Sequence, residues 1–536
     1  MTMQKMIAFF LMISLPLMSF SQEDKKTPKN WFHLDLQKDG FFGVSTLQAY
    51  ELLKNKMPKS VIVAVIDGGV DIHHEDLKDV LWINTADSAA TGIDADNNGY
   101  VNDTYGWNFL GNANGNNVEF DNLELTRLIK KLDPLYVSVL PSTPMTEKER
   151  REFTQYQRMV TDYTNRLQRA KMGQMNYMLL RSVTDTILYK VGKDSLTIAD
   201  LDQYTPANDL QKSGIRFLKS ELKDRSFTEI NKELSEGLKY FNGQINYHLN
   251  KEYDARGIIG DLYDDFDNRF YGNNDVVGPN ADHGTHVAGI IAAKRSNEIG
   301  IDGVSDAAKI LSLRAVPDGD EHDKDIANSI RYAADNGAKV INMSFGKAYS
   351  YNKKIVDDAI RYALEKDVLF IHAAGNDGKD LDITHNFPNK RFVDSLGINE
   401  GEADAWITVG ASQPKNDADL LADFSNYGRR SVDLFAPGVE IYSTMPGSNY
   451  ENQQGTSMAA PVVSGIAAMI RSYFPQLTAV EVKEILMESV IVSDQKVKIK
   501  DDKGVTKRVT LKEISTTGGV VNAHSAIALA LQKTAS

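Results

Sequence analysis

Three polar side chains of this sequence have the chemistry of an acyl-transfer site: Ser457, His283 and Asp67. A serine hydroxyl becomes a nucleophile when a neighbouring base takes its proton, and the base needs a carboxylate to hold its orientation. Ser457 follows Gly455 and precedes an apolar run that predicts a helix. Its hydroxyl would lie at the helix N-terminus, where the helix dipole favours negative charge. A serine there is also a common cap of a buried helix, and this simpler interpretation stays open.

The predicted base and carboxylate each stand at the end of a recognisable element. His283 opens residues 283–291, a small-residue run suited to a tightly packed helix, and His286 is the rival base. The two histidines also suggest a metal pair, but no nearby glutamate completes the zinc-protease motif. Asp67 ends the apolar run 61–67, which predicts a strand buried on both faces. Open α/β sheets place their chemistry at such strand ends.

An amide and three small residues follow another predicted strand, residues 368–374. The side-chain amide of Asn376 can donate to the oxyanion that acyl transfer generates, although an asparagine here is also a common turn residue. The preceding Ala373, Ala374 and Gly375 leave room for a substrate side chain against the backbone.

The elements that must position these residues alternate between buried strands and helices. Such alternation predicts an α/β fold with a mostly parallel sheet and helices on both faces. A charged turn at 501–504 between two alternating runs predicts a hairpin near the C-terminus. The other predicted strands are 310–316, 340–343 and 406–410, and the predicted helices between them include 324–336 and 353–366.

Residues 119–268 differ from both flanks and predict a helical insertion. Thr146 and Glu149 form a capping box, and apolar residues then recur at spacings of three and four. Both junctions are rich in glycine and asparagine. The predicted segments are a signal peptide (1–21), an N-terminal extension (22–58), a first catalytic part (59–118), the insertion (119–268) and a second catalytic part with a C-terminal hairpin and helix (269–536).

The first residues predict export. Lys5 precedes the apolar run 7–20, and Ser19-Phe20-Ser21 is typical of a cleavage site that leaves Gln22 as the new terminus. An uncleaved anchor is the alternative. We expect a periplasmic, cell-surface or extracellular protein with no membrane span after cleavage. The chain has no cysteine, and its net charge of −13 argues against a nucleic-acid partner.

One loop has the ligand pattern of a calcium site. Asp94, Asp96 and Asn98 carry side-chain oxygens at alternate positions, and Gly99 is the sixth residue. The twelfth residue is Tyr105 instead of the glutamate of an EF-hand, so an Asn/Asp-rich turn is the alternative. We expect no cofactor in the chemistry itself and a structural role for any bound calcium.

Four short motifs occur in the chain order aspartate, histidine, asparagine and serine. They are Val65–Val70, His283–Gly289, Ala373–Asn376 and Gly455–Pro461. On these elements and in this order, they resemble the motifs of the subtilisin-like serine proteases, the subtilases, over about 59–118 and 270–492.

The resemblance implies a secreted endopeptidase with an Asp67–His283–Ser457 triad and Asn376 as an oxyanion donor. It further implies that Ser344, Phe345 and Gly346 pair with an extended protein or peptide substrate. The stretch around Asp76 resembles one in which an aspartate often binds calcium, although the usual proline is Glu75 here.

Two departures from the resemblance leave open questions. Asp67 and His283 are 216 residues apart, and the helical insertion accounts for that distance. Only 45 residues separate Gln22 from Asp67, which is short for the folding-assistant prodomain of many relatives. A non-catalytic binding module and a processing enzyme with restricted access are the alternative functions. We expect the insertion to limit access to the cleft.

Overall fold

The computed structural model describes residues 27–88, 92–393, 398–500 and 504–535. The chain forms two compact units. Ile129–Tyr253 is called the helical unit here, and Thr27–Leu128 together with Asp254–Ser536 is called the sheet unit. The predicted signal peptide lies outside the described residues. No helix within the described ranges is long and apolar enough to cross a membrane.

The sheet unit is built on a nine-stranded, mostly parallel sheet, which confirms the predicted fold class. Its strands lie in the order β12-β15-β9-β8-β5-β4-β1-β3-β2, and every neighbouring pair except β12 and β15 is parallel. The other six strands form three antiparallel pairs, β6 with β7, β10 with β11, and β13 with β14. All strands of the described residues are β1 (Val61–Asp67), β2 (Gly106–Asn108), β3 (Ala308–Arg314), β4 (Val340–Met343), β5 (Leu369–Ala373), β6 (Arg391–Val393), β7 (Asn399–Glu402), β8 (Trp406–Ser412), β9 (Leu434–Pro437), β10 (Ile441–Met445), β11 (Asn449–Gln453), β12 (Ile491–Val492), β13 (Lys496–Lys500), β14 (Thr506–Thr510) and β15 (Gly519–Val520).

Helices surround this sheet and build the helical unit. A short 3₁₀ turn at Trp31–His33 precedes them, and a π turn at Gln244–His248 follows α7. The helices are α1 (Leu36–Asp39), α2 (Thr46–Leu53), α3 (Glu124–Tyr136), α4 (Glu147–Val191), α5 (Ile198–Gln203), α6 (Asp209–Glu221), α7 (Phe227–Gly243), α8 (Arg256–Ile259), α9 (Asp282–Ala292), α10 (Asp323–Asp335), α11 (Lys353–Glu365), α12 (Thr456–Tyr473), α13 (Ala479–Glu488), α14 (Leu511–Ile514) and α15 (Ala523–Thr534).

Strand β1 is buried on both faces, as its unbroken apolar sequence predicts. Val63 and Val65 belong to one core cluster, which also contains apolar residues of α9 and α12. Ala64 and Ile66 point to the opposite cluster, with residues of α10 and α11. The alternation places helices on both sides of the sheet.

The helical unit has a hydrophobic core of its own. The capping box predicted at Thr146 is present, and it starts the 45-residue helix α4. Apolar side chains of α4 to α7 meet in one cluster, including Ile187, Leu218 and Leu234. The amphipathic stripe predicted after Thr146 falls on α4, where Phe153 and Tyr156 are buried, whereas α5 and α6 were not predicted individually.

Several boundaries and strands differ from the prediction. The strand predicted at 310–316 is Ala308–Arg314, and the one predicted at 406–410 continues to Ser412. Strands β9, β10 and β11 were not predicted, because they are short and the turns between them contain glycine and proline. The hairpin near the C-terminus is present as β13 and β14, whereas residues 501–503 of its turn lie outside the described ranges.

We expect a cavity in the core of one unit to destabilise that unit and to leave the core of the other unit unchanged. Ile187 in the helical unit and Ile310 in β3 are both fully buried, so changing either to alanine should cost about 2–5 kcal/mol of local stability. Hydrogen exchange read by mass spectrometry should speed up in α4 to α7 for Ile187→Ala and in β1 and β3 for Ile310→Ala. Equal acceleration in both units from Ile187→Ala would contradict separate cores.

Candidate active site

The predicted carboxylate and base are brought together at the carboxyl end of strand β1. Asp67 is the last residue of β1, and His283 is the second residue of α9. The Nδ1 atom of His283 lies 2.8 and 2.9 Å from the two carboxylate oxygens of Asp67. The Asp67 side chain is 4% exposed and that of His283 is 41% exposed. One nitrogen of the imidazole is therefore committed to a buried carboxylate while the ring stays accessible.

The carboxylate sets the protonation of this imidazole. Burial disfavours the charged ring, but the charge of Asp67 and its hydrogen bond outweigh burial and raise the pKa of His283 above its ordinary 6.5. Because Nδ1 donates to Asp67, the neutral tautomer leaves Nε2 as the proton acceptor.

The predicted nucleophile begins helix α12. Ser457 is the second helical residue, half-buried, and its hydroxyl donates to the Ser344 carbonyl at 3.0 Å. Helix α12 packs against α9, which carries His283. In this arrangement the Ser457 hydroxyl is held by the Ser344 carbonyl, so it must turn toward the imidazole before a proton can be transferred to it.

The Asn376 amide is oriented by the residue that precedes the serine. The backbone N–H and the hydroxyl of Thr456 both donate to Asn376 Oδ1, at 2.9 and 3.0 Å. The Gly375 N–H in turn donates to the Thr456 hydroxyl at 2.9 Å. With its oxygen occupied in this way, Asn376 presents its NH₂ group to the opposite side.

A space between two N–H donors depends on Gly455. A Cβ atom at this position would lie 3.3 Å from Asn376 Nδ2 and 3.6 Å from the Ser457 nitrogen. The φ angle of Gly455 is +151°, a region that side-chain-bearing residues rarely adopt. The glycine therefore leaves a space open next to the Asn376 side chain and the Ser457 nitrogen.

The two predicted substrate-binding segments lie side by side. Ser344, Phe345 and Gly346 follow β4, while Ala373, Ala374 and Gly375 end β5 and continue from it, and β4 pairs with β5. Two further asparagines hold the second segment in place. Asn386 Nδ2 donates to the carbonyls of Ala373 and Ala374 at 3.2 Å, and Asn426 Nδ2 donates to that of Ala374 at 2.8 Å.

A buried ammonium anchors the end of the first segment. Lys347 directly follows Gly346, and its Nζ lies 2.8 Å from Glu124 and 2.7 Å from Asp323. It also donates to the Glu321 carbonyl at 2.6 Å. Burial opposes the charge, but the neighbouring carboxylates raise the pKa of Lys347 well above its ordinary value. The ion cluster fixes the backbone beside the exposed Gly346.

Comparison with known proteins gives the family. The family model described as Subtilase family, Peptidase_S8, matches residues 58–511. The chain belongs to the subtilase family. This finding confirms the resemblance to the family of subtilisin-like serine proteases that the four sequence motifs predict.

Individual relatives match only part of the chain. A thermophilic serine proteinase of a Bacillus species (strain AK1) is 41% identical over 35% of this chain and 42% of its own length. A cell wall-associated protease of Bacillus subtilis (strain 168) is 36% identical over 43% of this chain and 24% of its own. Subtilisin BL of Lederbergia lenta is 34% identical over 38% and 68%. The chain thus spans less than half of the first two relatives.

The rival histidine of this subtilase is buried away from the site. His286 is fully buried, its Nε2 lies 3.1 Å from the Glu451 carbonyl, and burial lowers its pKa to about 4. A neutral imidazole bonded to backbone is a packing residue, and its side chain makes no contact with Asp67 comparable to that of His283.

The predicted calcium ligands lie in two different surroundings. The Asp94 carboxylate accepts the N–H groups of Asn98 and Gly99, and that of Asp96 accepts the N–H and the side-chain amide of Asn98. Asp76 instead accepts from the Asn297 amide at 2.7 Å, and burial raises its pKa. Across the described part of the chain, no group of three or more histidine or acidic side chains is placed to hold a metal ion.

Sequence reasoning missed the residues that orient the site. Thr456 stands inside the quoted serine motif without a predicted role, and nothing in the local sequence distinguishes Asn386 or Asn426 from other loop asparagines. Their roles follow from tertiary contacts with residues far away in sequence.

The raised pKa of His283 gives a titration that NMR can follow. We expect its imidazole to titrate above pH 6.5, because the charged ring is held by Asp67. In Asp67→Asn the partly covered ring loses the neighbouring negative charge, so its pKa should fall to 6.5 or below. His286, titrating near pH 4, is the internal control. A His283 pKa that is unchanged by Asp67→Asn would contradict the assignment of the pair.

Proposed function

We propose that this subtilase is an exported serine endopeptidase in which Asp67, His283 and Ser457 form the triad and Asn376 donates to the oxyanion. The observation that carries the proposal is the hydrogen-bonded pair of buried Asp67 and accessible His283, together with the space that Gly455 leaves next to the Asn376 amide and the Ser457 nitrogen. Acyl transfer needs both features, whereas a binding module needs neither.

The proposed reaction begins with the Ser457 hydroxyl. It leaves the Ser344 carbonyl, gives its proton to Nε2 of His283, and its oxygen forms a bond to the scissile carbonyl carbon. The resulting imidazolium is stabilised by Asp67, which holds Nδ1–H throughout. His283 then gives the proton to the leaving amine, and water hydrolyses the acyl-enzyme with the same base.

Negative charge on the carbonyl oxygen is proposed to be met by Asn376 Nδ2 and the Ser457 N–H. Thr456 keeps both donors fixed before the substrate arrives, because it holds Asn376 Oδ1 and directly precedes the serine. Donors fixed in advance need no reorganisation during the reaction, and losing one typically costs about 10²–10³-fold in rate.

The proposed substrates are extended protein or peptide segments. The exposed Gly346 backbone continues from a central strand, which suits pairing with an extended chain. The small residues Ala373 to Gly375 line the neighbouring segment, so substrate side chains can pack on backbone there. Export is supported by the apolar N-terminal segment and by the cell wall-associated protease among the relatives.

Single substitutions test the triad against its rival. Ser457→Ala should remove peptide hydrolysis while leaving the melting temperature nearly unchanged, since only a half-buried hydroxyl is lost. His283→Ala should lower the rate by several orders of magnitude, because the proposed general base is lost. His286→Ala is the matched control, and the folded fraction of this variant should have the same specific activity as the wild type. A folded, inactive His286→Ala beside an active His283→Ala would overturn the assignment.

We also propose that the Asp94–Asn98 loop binds calcium as a structural ion. The side-chain NH₂ groups of Asn84 and Asn98 each donate to both Asp96 and Asp103, so the carboxylates of these two aspartates are held close to each other there. Carboxylate, amide and backbone oxygens are the ligands that calcium accepts. The same loop is held by hydrogen bonds from backbone N–H groups, which leave lone pairs of each carboxylate available.

Calcium should therefore raise the melting temperature. Binding to the folded state alone stabilises it by about 2.7 kcal/mol at a hundredfold excess over Kd. Thermal melts in excess chelator and in millimolar calcium measure this, and Asp96→Asn should reduce the difference more than Asp76→Asn does. An identical melting temperature in chelator and calcium would contradict the proposal.

A further inference from the structure

A chain of buried hydrogen bonds runs behind Ser457. The Ser464 hydroxyl donates to Asn342 Oδ1 at 2.8 Å, and Asn342 Nδ2 donates to the Ser344 hydroxyl at 3.0 Å. The Ser344 hydroxyl then donates to the Ser457 carbonyl at 2.9 Å. Ser464, Asn342 and Ser344 are all buried. The chain thus connects the third turn of α12 to its own first turn through the end of β4.

The Ser457 carbonyl needs this external donor because of Pro461. In an α-helix the carbonyl of residue 457 would accept from the N–H of residue 461, which is proline and has none. A buried carbonyl without a donor costs free energy. The Ser344 hydroxyl replaces the missing helical donor, and it does so beside the proposed nucleophile.

The donor-to-acceptor direction of this series of hydrogen bonds is set by Ser464. An asparagine amide can turn over, exchanging its oxygen and its NH₂ group. Because the Ser464 hydroxyl donates to Asn342 Oδ1, the NH₂ group of Asn342 faces Ser344. An NH₂ group can only donate, so the single proton of the Ser344 hydroxyl remains available for the Ser457 carbonyl.

We propose that Ser464 is a positioning residue for the nucleophile, acting through Asn342 and Ser344 on the Ser457 backbone. The inference rests on the proposed function. Thr456 fixes the backbone on the N-terminal side of Ser457 by bonding to Asn376, and the chain from Ser464 fixes it on the C-terminal side. The serine hydroxyl can then turn from Ser344 to His283 while the oxyanion donor of the same residue stays in place.

Losing the Ser464 hydroxyl should release this anchor. Asn342 Oδ1 would be buried without a donor. The amide orientation that points its NH₂ group toward Ser344 would then no longer be favoured. After a flip, Asn342 Oδ1 would take the Ser344 proton away from the Ser457 carbonyl. The effect falls on the backbone of the reacting residue, whereas the backbones of Phe345 and Gly346 keep their own contacts.

The test compares Ser464→Ala with Ser472→Ala. Both serines are buried on α12, but the Ser472 hydroxyl donates to the Met469 carbonyl and has no link to the site. With active sites counted by a serine-directed phosphonate, Ser464→Ala should lower kcat on a fluorogenic peptide about 3- to 10-fold with KM unchanged. Ser472→Ala should change neither constant by more than about twofold.

A second background separates positioning from general loosening. Pro461→Ala restores an N–H at position 461, so in that background Ser464→Ala should cost less than about twofold in kcat. Equal losses in both backgrounds, equal losses in the two serine variants, or a loss confined to KM would each overturn the inference. A wild-type chain that neither cleaves peptides nor reacts with the phosphonate would instead overturn the proposed function, and this inference with it.

Discussion

The carboxyl edge of the parallel sheet is the constraint on which the proposed site depends. Strands β3, β1, β4 and β5 are neighbours and run in one direction, so their ends meet at one edge. Asp67 ends β1, Ser344 follows β4, and Ala373 ends β5. The sheet cannot separate these residues without breaking the register of its strands.

Helix starts supply the other half of the site. His283 and Ser457 are each the second residue of a helix, α9 and α12, and these two helices pack on each other and on the same core. A residue at a helix start is rigid on one side and open on the other. The nucleophile and the base thereby gain fixed backbones while their side chains keep freedom to exchange a hydrogen bond.

Two residues of the serine motif, Gly455 and Pro461, each lack an interaction that most other residues would make at their position. Gly455 gives up side-chain packing and leaves a space next to the Asn376 side chain and the Ser457 nitrogen. Pro461 gives up a helical hydrogen bond, and the Ser344 hydroxyl replaces it from β4. The Ser344 hydroxyl thus ties α12 to the end of β4, and Thr456 ties its start to Asn376 after β5, which is where a proposed substrate would lie.

The fold and the principal site residues could be predicted from local sequence, whereas the residues that orient them could not. Unbroken apolar runs predicted β1, β4, β5 and β8, and four motifs predicted the residues that the sheet brings together. Asn386, Asn342 and Ser464 carry no local signal, because their partners are distant in sequence. The spacing of the predicted calcium ligands could not reveal that Asp76 has different neighbours from Asp94.

The most direct test of the central claim is to locate the residue that a serine-directed phosphonate modifies. After reaction at pH 8 and digestion, mass spectrometry should find the label on Ser457, with reaction slowed by orders of magnitude in His283→Ala and Asp67→Asn. A label on another residue, or equal labelling of the wild type and His283→Ala, would contradict an activated serine at this edge of the sheet.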